Sequence, residues 1–442
     1  MTSYWAEFGW LDGAAVAGLR LVAEQGRWVT IEPGVHRSAT DTELAGLVLP
    51  GLANTHSHAF HRALRGRTHD GGGTFWTWRE QMYAIAGRLE PDSYYRLARA
   101  AYAEMALAGV SAVGEFHYLH HRADGTGYQP ANEFGRVLIQ AAAEAGIRIC
   151  LLDTCYLAGG LDQTGYAPLS GVHRRFSDGS AAGWRDRVTA LAAEFDGADR
   201  VRIGAAIHSV RAVPDDQLAE VLRWAAGRPV HAHVSEQPAE NQACLRMHGR
   251  TPTRLLAEHG FGGPLHTAVH ATHLTEDDIA WYGSSQTTVS FCPSTERDLA
   301  DGIGPASALA AAGARLSLGS DQNATVDLLA EAQALELDDR LASLRRGRFS
   351  PAALVDSLTT VGQASLGFAD AGRFAVGQRA DLVAIRLDTV RTAGVLPGQA
   401  IMAAGAPDVH TVLVDGQLVV SEGRHRLGDV GALLAEAIAA VH

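Results

Sequence analysis

Residues 46–58, Gly46-Leu-Val-Leu-Pro-Gly-Leu-Ala-Asn-Thr-His-Ser-His58, decide the fold. They set a unit that the chain repeats as far as Leu318: a short apolar strand that runs out into polar side chains. The first strand is read as Leu47-Val-Leu-Pro50. Later ones are Ser111–Phe116, Arg148–Leu152, Arg202–Ile207, Val230–Val234, Thr267–Ala271, Thr287–Phe291 and Arg315–Gly319. Between them lie alanine-rich amphipathic segments, among them Tyr95–Ala108, Arg136–Ala145, Trp184–Phe195 and Gln217–Ala226. Strands that alternate with helices imply βαβ units and a parallel sheet, and eight such units predict a closed α/β barrel of the (β/α)8 TIM type.

The two ends of the chain read differently. Residues 1–48 break into short strands such as Gly18-Leu-Arg-Leu-Val-Ala and Arg27-Trp-Val-Thr-Ile. Beyond the eighth strand come helices at Leu328–Leu344 and Pro351–Ser365, then strands again at Ala380–Ile385 and Thr411–Val420. The prediction is a barrel over residues 49–374 and a small β-sandwich domain built jointly from residues 1–48 and 375–442.

Composition narrows the chemistry. Of the 442 residues, 47% are hydrophobic and 19% charged, ordinary for a globular chain long enough for one barrel and a smaller domain. The net charge of −12 and the lack of a basic block argue against nucleic acid as a partner. All 37 basic residues are arginine, which excludes Schiff-base lysine chemistry, a P-loop and a bridging carbamylated lysine. The four cysteines, 150, 155, 244 and 292, have no C-x-x-C spacing and read as reduced thiols. With no signal-peptide pattern, and no apolar run near the ~20 residues a membrane span needs, the expectation is a cytoplasmic protein off the membrane.

In such barrels the chemistry sits where strands end. Strand one runs into His56-Ser-His58, whose alternate residues point the same way on an extended segment and could share one ion. Strand five carries His231, His233 and, three residues later, Glu236. His231 and His233 have the same parity, so spacing alone does not choose between them. Strand six gives His270 and His273, and strand eight ends in Asp321. Each group alone is ordinarily a structural histidine or a capping aspartate. Four strand ends so equipped on one barrel face point to a metal site, with zinc first and iron or manganese also suited.

This order of H-x-H, His, His and Asp resembles the amidohydrolase superfamily, and the β-rich ends with Ala380-Asp-Leu-Val-Ala fit it too. More narrowly, the chain is similar to the formimidoylglutamate deiminase family. Phe75-Trp-Thr-Trp-Arg-Glu-Gln-Met-Tyr, Gly114-Glu-Phe-His-Tyr-Leu-His-His, Ala206-Ile-His-Ser-Val-Arg and Ser290-Phe-Cys-Pro-Ser-Thr-Glu-Arg carry that likeness.

The resemblance implies one Zn2+ per chain, or Fe2+, held by His56, His58, His233 and Asp321. It implies Glu236, His270 and Asp321 as the catalytic residues. No lysine closes strand four, so a single metal follows. The implied reaction is hydrolysis of N-formimino-L-glutamate to N-formyl-L-glutamate and ammonia, a step of histidine degradation, by a homodimer. A dianionic amino-acid substrate calls for guanidinium and hydroxyl donors. Arg211 after strand four, Arg79 after strand one and Tyr118 after strand two are the candidates, with His61 standing where the family pattern leads us to expect Gln. The run Gly71-Gly-Gly-Thr74 marks a loop able to cover the substrate. Competing readings are a purine, pyrimidine or triazine deaminase or chlorohydrolase, a catalytically dead scaffold, and a histidine-rich metal store.

Overall fold

The structure is a computed structural model that describes residues 1–70 and 72–442. Eight parallel strands lie side by side in sequence order: Leu52–Ser57, Val110–His117, Arg148–Cys155, Val201–Ile207, Val230–Val234, His266–His270, Thr288–Phe291 and Arg315–Leu318. The eighth returns to the first. Ser57 bridges Asp321 in parallel, and the Thr55 hydroxyl donates to the Leu318 carbonyl at 2.8 Å. Most strand residues are buried because helices cover the outside while the strands pack on one another inside, which is why these segments read as apolar runs rather than alternating ones. Closure is tight at Gly319, where an added Cβ would lie 2.7 Å from the Cβ of His56.

The apolar run Leu47–Pro50 is not barrel strand one. It ends the strand Thr42–Pro50, which pairs in parallel with Thr2–Leu11 and antiparallel with Leu382–Ile385. The barrel begins two residues later, at Leu52. The chain crosses from one sheet to the other at Gly51, where a Cβ would sit 2.6 Å from Ser111 Oγ and 2.8 Å from Asp381 Cβ. Two buried strands in succession, parted by one glycine, look like a single apolar segment in sequence. Likewise the helix expected over Pro351–Ser365 is two helices, Pro351–Leu358 and Thr360–Ser365, broken at Thr359 with φ −119°.

The chain ends join in one eight-stranded sheet, in the order Arg424–His425, Gln417–Ser421, Val409–Val414, Leu382–Ile385, Thr42–Pro50, Thr2–Leu11, Ala14–Glu24 and Arg27–Glu32. Its own core centres on Trp28, whose indole meets Phe374 edge-on at 5.8 Å. A buried ion network joins this sheet to the base of the barrel. Arg148, at the start of the third barrel strand, pairs with Asp381 and with Asp415 at 3.1 Å, and Gln363 donates to Ser111 Oγ at 2.8 Å and to the Gly51 carbonyl at 3.2 Å.

Candidate active site

Strand one places His56 and His58 on the barrel axis, and two backbone carbonyls fix how the histidines present themselves. His58 Nδ1–H donates to Phe116 O at 2.8 Å, and His233 Nδ1–H donates to His208 O at 2.9 Å. A carbonyl only accepts, so both rings carry their proton on Nδ1 and aim a lone pair from Nε2. His233 Nε2 lies 3.1 Å from His56 Nε2. Asp321 Oδ1 is 3.3 Å from His56 Nε2 and 3.4 Å from His58 Nε2. Burial lowers the pKa of all three imidazoles and keeps them neutral, the form that ligates. Burial alone would raise Asp321, but its hydrogen bond with His56 and the charge of His270 hold it far below the usual carboxylate range. Three neutral imidazoles and a carboxylate aimed at one point are a donor set that could hold a zinc-like divalent ion.

His231 resolves the ambiguity left by parity. It lies one layer deeper on the same strand, buried, with neither ring nitrogen partnered among the described residues, while His233, of the two, reaches the cluster.

A polar clasp, invisible in the sequence, holds the first strand to the eighth. Asn54 Nδ2 donates to Ser320 Oγ at 2.7 Å, and Ser320 N returns a bond to Asn54 Oδ1 at 3.0 Å. Ser320 Oγ donates to Asn323 Oδ1 at 2.6 Å, and Asn323 Nδ2 reaches the His58 carbonyl at 3.0 Å. Asp321 N donates to His56 O at 2.9 Å. The clasp supports Asp321 and Asn323 at φ +42° and +57°; His270, at the end of the sixth strand, sits at φ +68°. These left-handed conformations are ones the surroundings must impose.

His270 is ringed by carboxylates. Its Nε2 lies 3.7 Å from Glu236 and 3.9 Å from Asp321, and its Nδ1 lies 3.4 Å from Glu296. Burial opposes the charge, but Glu236, the hydrogen bond to Glu296 and Asp321 push its pKa up to about 10, so it is an imidazolium. Glu236 also takes a bond from Arg211 NH2 at 2.9 Å. Arg211 is thus brought to the site, with one arm already committed to Glu236.

The remaining predicted residues line the same cavity, which measures about 50 Å³. His61 Nε2 and the Tyr118 hydroxyl are 2.9 Å apart. Arg79 stacks on Trp76 at 4.6 Å and on Tyr83 at 5.4 Å, and has no carboxylate at ion-pair distance among the described residues. The glycine run that precedes it begins at Gly71, outside the described residues. His208, Tyr83, Met82 and Leu299 also face the cavity, and sequence reasoning missed them. His208 was within reach, since it opens the quoted His-Ser-Val-Arg segment after strand four. The others come from loops and from the helix Phe75–Arg88, where no strand-end rule applies.

A second group, His117, His120 and Asp153, also brings ligand atoms together. There the cation's place is taken: Arg187 donates to both Asp153 oxygens at 2.8 Å, and Trp184 adds a third bond.

Comparison with known proteins finds relatives along nearly the whole chain. The amidohydrolase family profile matches residues 47–419. Formimidoylglutamate deiminase of Pseudomonas aeruginosa is 36% identical, over 96% of this chain and 96% of that one. The 8-oxoguanine deaminase of the same organism is 29% identical, over 96% and 94%. Among solved structures, an amidohydrolase from Brucella melitensis superposes with a TM-score of 0.92 at 30% identity, covering 100% of both chains. Atrazine chlorohydrolase of Arthrobacter aurescens, in complex with zinc, gives 0.86 at 20% identity, also over 100% of both, and speaks to the fold alone.

Proposed function

The chain belongs to the amidohydrolase family, and within it we propose that it hydrolyses N-formimino-L-glutamate to N-formyl-L-glutamate and ammonia. The observation that carries this reading is the coexistence, in one cavity, of the histidine–aspartate cluster with two guanidinium groups, Arg79 and Arg211. A substrate with two carboxylates matches Arg79 and the free arm of Arg211, whereas a neutral ring amine would leave the Arg79 charge without a partner. The P. aeruginosa deiminase supports the same choice.

His56, His58, His233 and Asp321 would hold one zinc ion, with ferrous iron as the alternative. When bound there, the ion supplies water acidified enough to act as a nucleophile near neutral pH. Asp321, held ionised, takes a proton from the attacking water as its oxygen joins the formimino carbon. Glu236, a carboxylate at rest, relays that proton from Asp321 to the imine nitrogen, so a tetrahedral carbon results that bears a hydroxyl and two nitrogens, and the hydroxyl gives the second proton. The second proton transfer, again through Glu236, lets the terminal nitrogen leave as ammonia while the C–O bond becomes the formyl carbonyl. His270, an imidazolium beside both carboxylates, hydrogen-bonds the oxygen as negative charge develops on it. Arg79, Tyr118 and the His61 ring bonded to it, and the free arm of Arg211 bind and orient the carboxylates.

The experiment is ammonia release from N-formimino-L-glutamate by purified protein, with metal counted on the same sample. Rapid release with about one metal per chain supports the reading. A full metal site that turns over guanine or a triazine, with no release from formiminoglutamate, would replace it by a ring deaminase.

A further inference from the structure

A buried histidine beside the cavity has no assigned role. His173 sits in the loop after the third barrel strand, in the short 3-10 turn Gly171–Arg175. Its Nδ1 accepts the Ser170 N–H at 3.4 Å, which puts the ring proton on Nε2, and Nε2 is buried without a hydrogen-bond partner among the described residues. A buried donor left unpaired is costly, and a ligand that accepts from it recovers that cost.

The neighbours say what kind of ligand. The ring packs edge-on against Tyr83 at 5.0 Å and stacks on Tyr156 at 5.8 Å. The Tyr83 and Tyr156 hydroxyls stand 3.4 Å apart, and both arginines of the cavity act on the Tyr156 hydroxyl electrostatically. Burial first, and Arg79 second, lower the pKa of His173, so it is a neutral donor in a region of positive potential. The loop is built to bring it close. At Gly159 a Cβ would lie 2.6 Å from the Pro168 carbonyl and 3.4 Å from His173 Nδ1.

We propose that His173 is a specificity-determining residue: its Nε2–H, with Arg79 and the Tyr83–Tyr156 hydroxyl pair, forms the subsite for the substrate carboxylate farthest from the reacting carbon. This rests on the deiminase reading above. The carboxylate accepts from His173 once the cavity widens around the bound molecule, so the residue distinguishes dicarboxylates from monocarboxylates.

The test compares His173→Phe and His173→Gln with wild type on two substrates, N-formimino-L-glutamate and N-formimino-L-2-aminobutyrate, which lacks the far carboxylate. The expected result for His173→Phe is a rise in KM of about 10- to 100-fold on the first and little change on the second. His173→Gln keeps an N–H donor and recovers most of the loss. Equal losses on both substrates, or none on either, overturn the proposal. If wild type releases ammonia from neither, the deiminase reading has failed, and glutarate binding by calorimetry still decides this one. Weaker glutarate binding by His173→Phe, about tenfold, upholds the subsite, and unchanged affinity refutes it. Should the phenylalanine variant fail to fold, His173→Asn enters the same measurements.

Discussion

Arg211 NH2 and Glu236 Oε2 form a buried ion pair at 2.9 Å, and the same glutamate faces the His270 imidazolium at 3.7 Å. Glu236 is therefore held between two cations, one from strand four and one from strand six. The two contacts fix the position of a carboxylate that must accept and release protons in turn. Glu236→Gln keeps the shape and the hydrogen bond to Arg211 but cannot carry a proton. We expect kcat to fall by at least about 100-fold, with metal content and Tm close to wild type. Near-normal turnover in that variant would remove Glu236 from the proton path.

The clasp of Asn54, Ser320 and Asn323 governs where Asp321 points. Asn323→Ala deletes the bonds to the His58 carbonyl and Ser57 hydroxyl and leaves Ser320 Oγ without its acceptor. No ligand is touched, yet the ligand set loses its support, a change that typically costs about 10- to 100-fold in metal affinity. Competition with a graded series of chelators reads this directly. An affinity unchanged from wild type would mean that the strand ends hold their geometry without the clasp.

At the opposite end of the barrel, Arg148 is fully buried between Asp381 and Asp415. Arg148→Met strands the buried Asp381, while Asp415 keeps Arg379 and Arg200 at 2.9 Å each, and loss of one partner from a buried pair costs about 3–5 kcal/mol. Urea unfolding should show that loss. Arg148→Met with Asp381→Leu should recover part of it, because the stranded charge is gone. Residual activity per folded molecule should stay near wild type, since the network lies at the N-terminal ends of the strands.

The residues of the histidine–aspartate cluster were legible as candidates because barrel chemistry collects at strand ends, and strand ends can be found from apolar runs; the choice of His233 over His231 came from the family resemblance. The same method misplaced the first strand, since Leu47–Pro50 and Leu52–Ser57 are both buried and only Gly51 separates them. Hydrophobicity records burial without naming the sheet that provides it. The clasp was not legible because Asn54, Ser320 and Asn323 belong to residue types that serve in any turn, and their meaning lies in a pairing across 266 positions. His173 and Tyr156 escaped for a related reason. They lie on or beside a loop whose approach to the helix Phe75–Arg88 no local pattern encodes.

Stability should fall as pH rises through the neutral range, and a buried carboxyl is one cause. Burial pushes Glu115 from 4.5 up to about 8, while Ala59 N–H and Tyr94 bond it without restoring its acidity. Between these two values the folded protein keeps a proton that the unfolded chain has released. The contribution is thus fully present below pH 4.5 and is lost as pH approaches 8, at up to about 1.4 kcal/mol per pH unit. Glu115→Gln mimics the protonated form at every pH. Its unfolding free energy should decline less steeply than that of wild type from pH 5 to 8, and parallel profiles would exclude Glu115 as a source.

The cavity is narrow, about 50 Å³, and we expect part of its wall to move as a dicarboxylate amidine enters. The helix Phe75–Arg88 contributes Phe75, Trp78, Arg79, Met82 and Tyr83 to that wall. Just before it, His69 Nε2 bonds Asp298 Oδ1 at 2.7 Å, and Gln322 Nε2 bonds Asp298 Oδ2 at 2.7 Å. Asp298 therefore ties the approach to this helix to the residue next to Asp321. Exposed pairs contribute about 1 kcal/mol or less, which suits a contact that opens and closes during turnover. Asp298→Ala should loosen the cover without disturbing the fold: limited proteolysis near residues 66–70 should accelerate, Tm should shift by no more than about 2–4 °C, and glutarate should slow the cleavage. Cleavage at the wild-type rate would place the moving wall elsewhere, with Leu299 on the facing side as the next candidate.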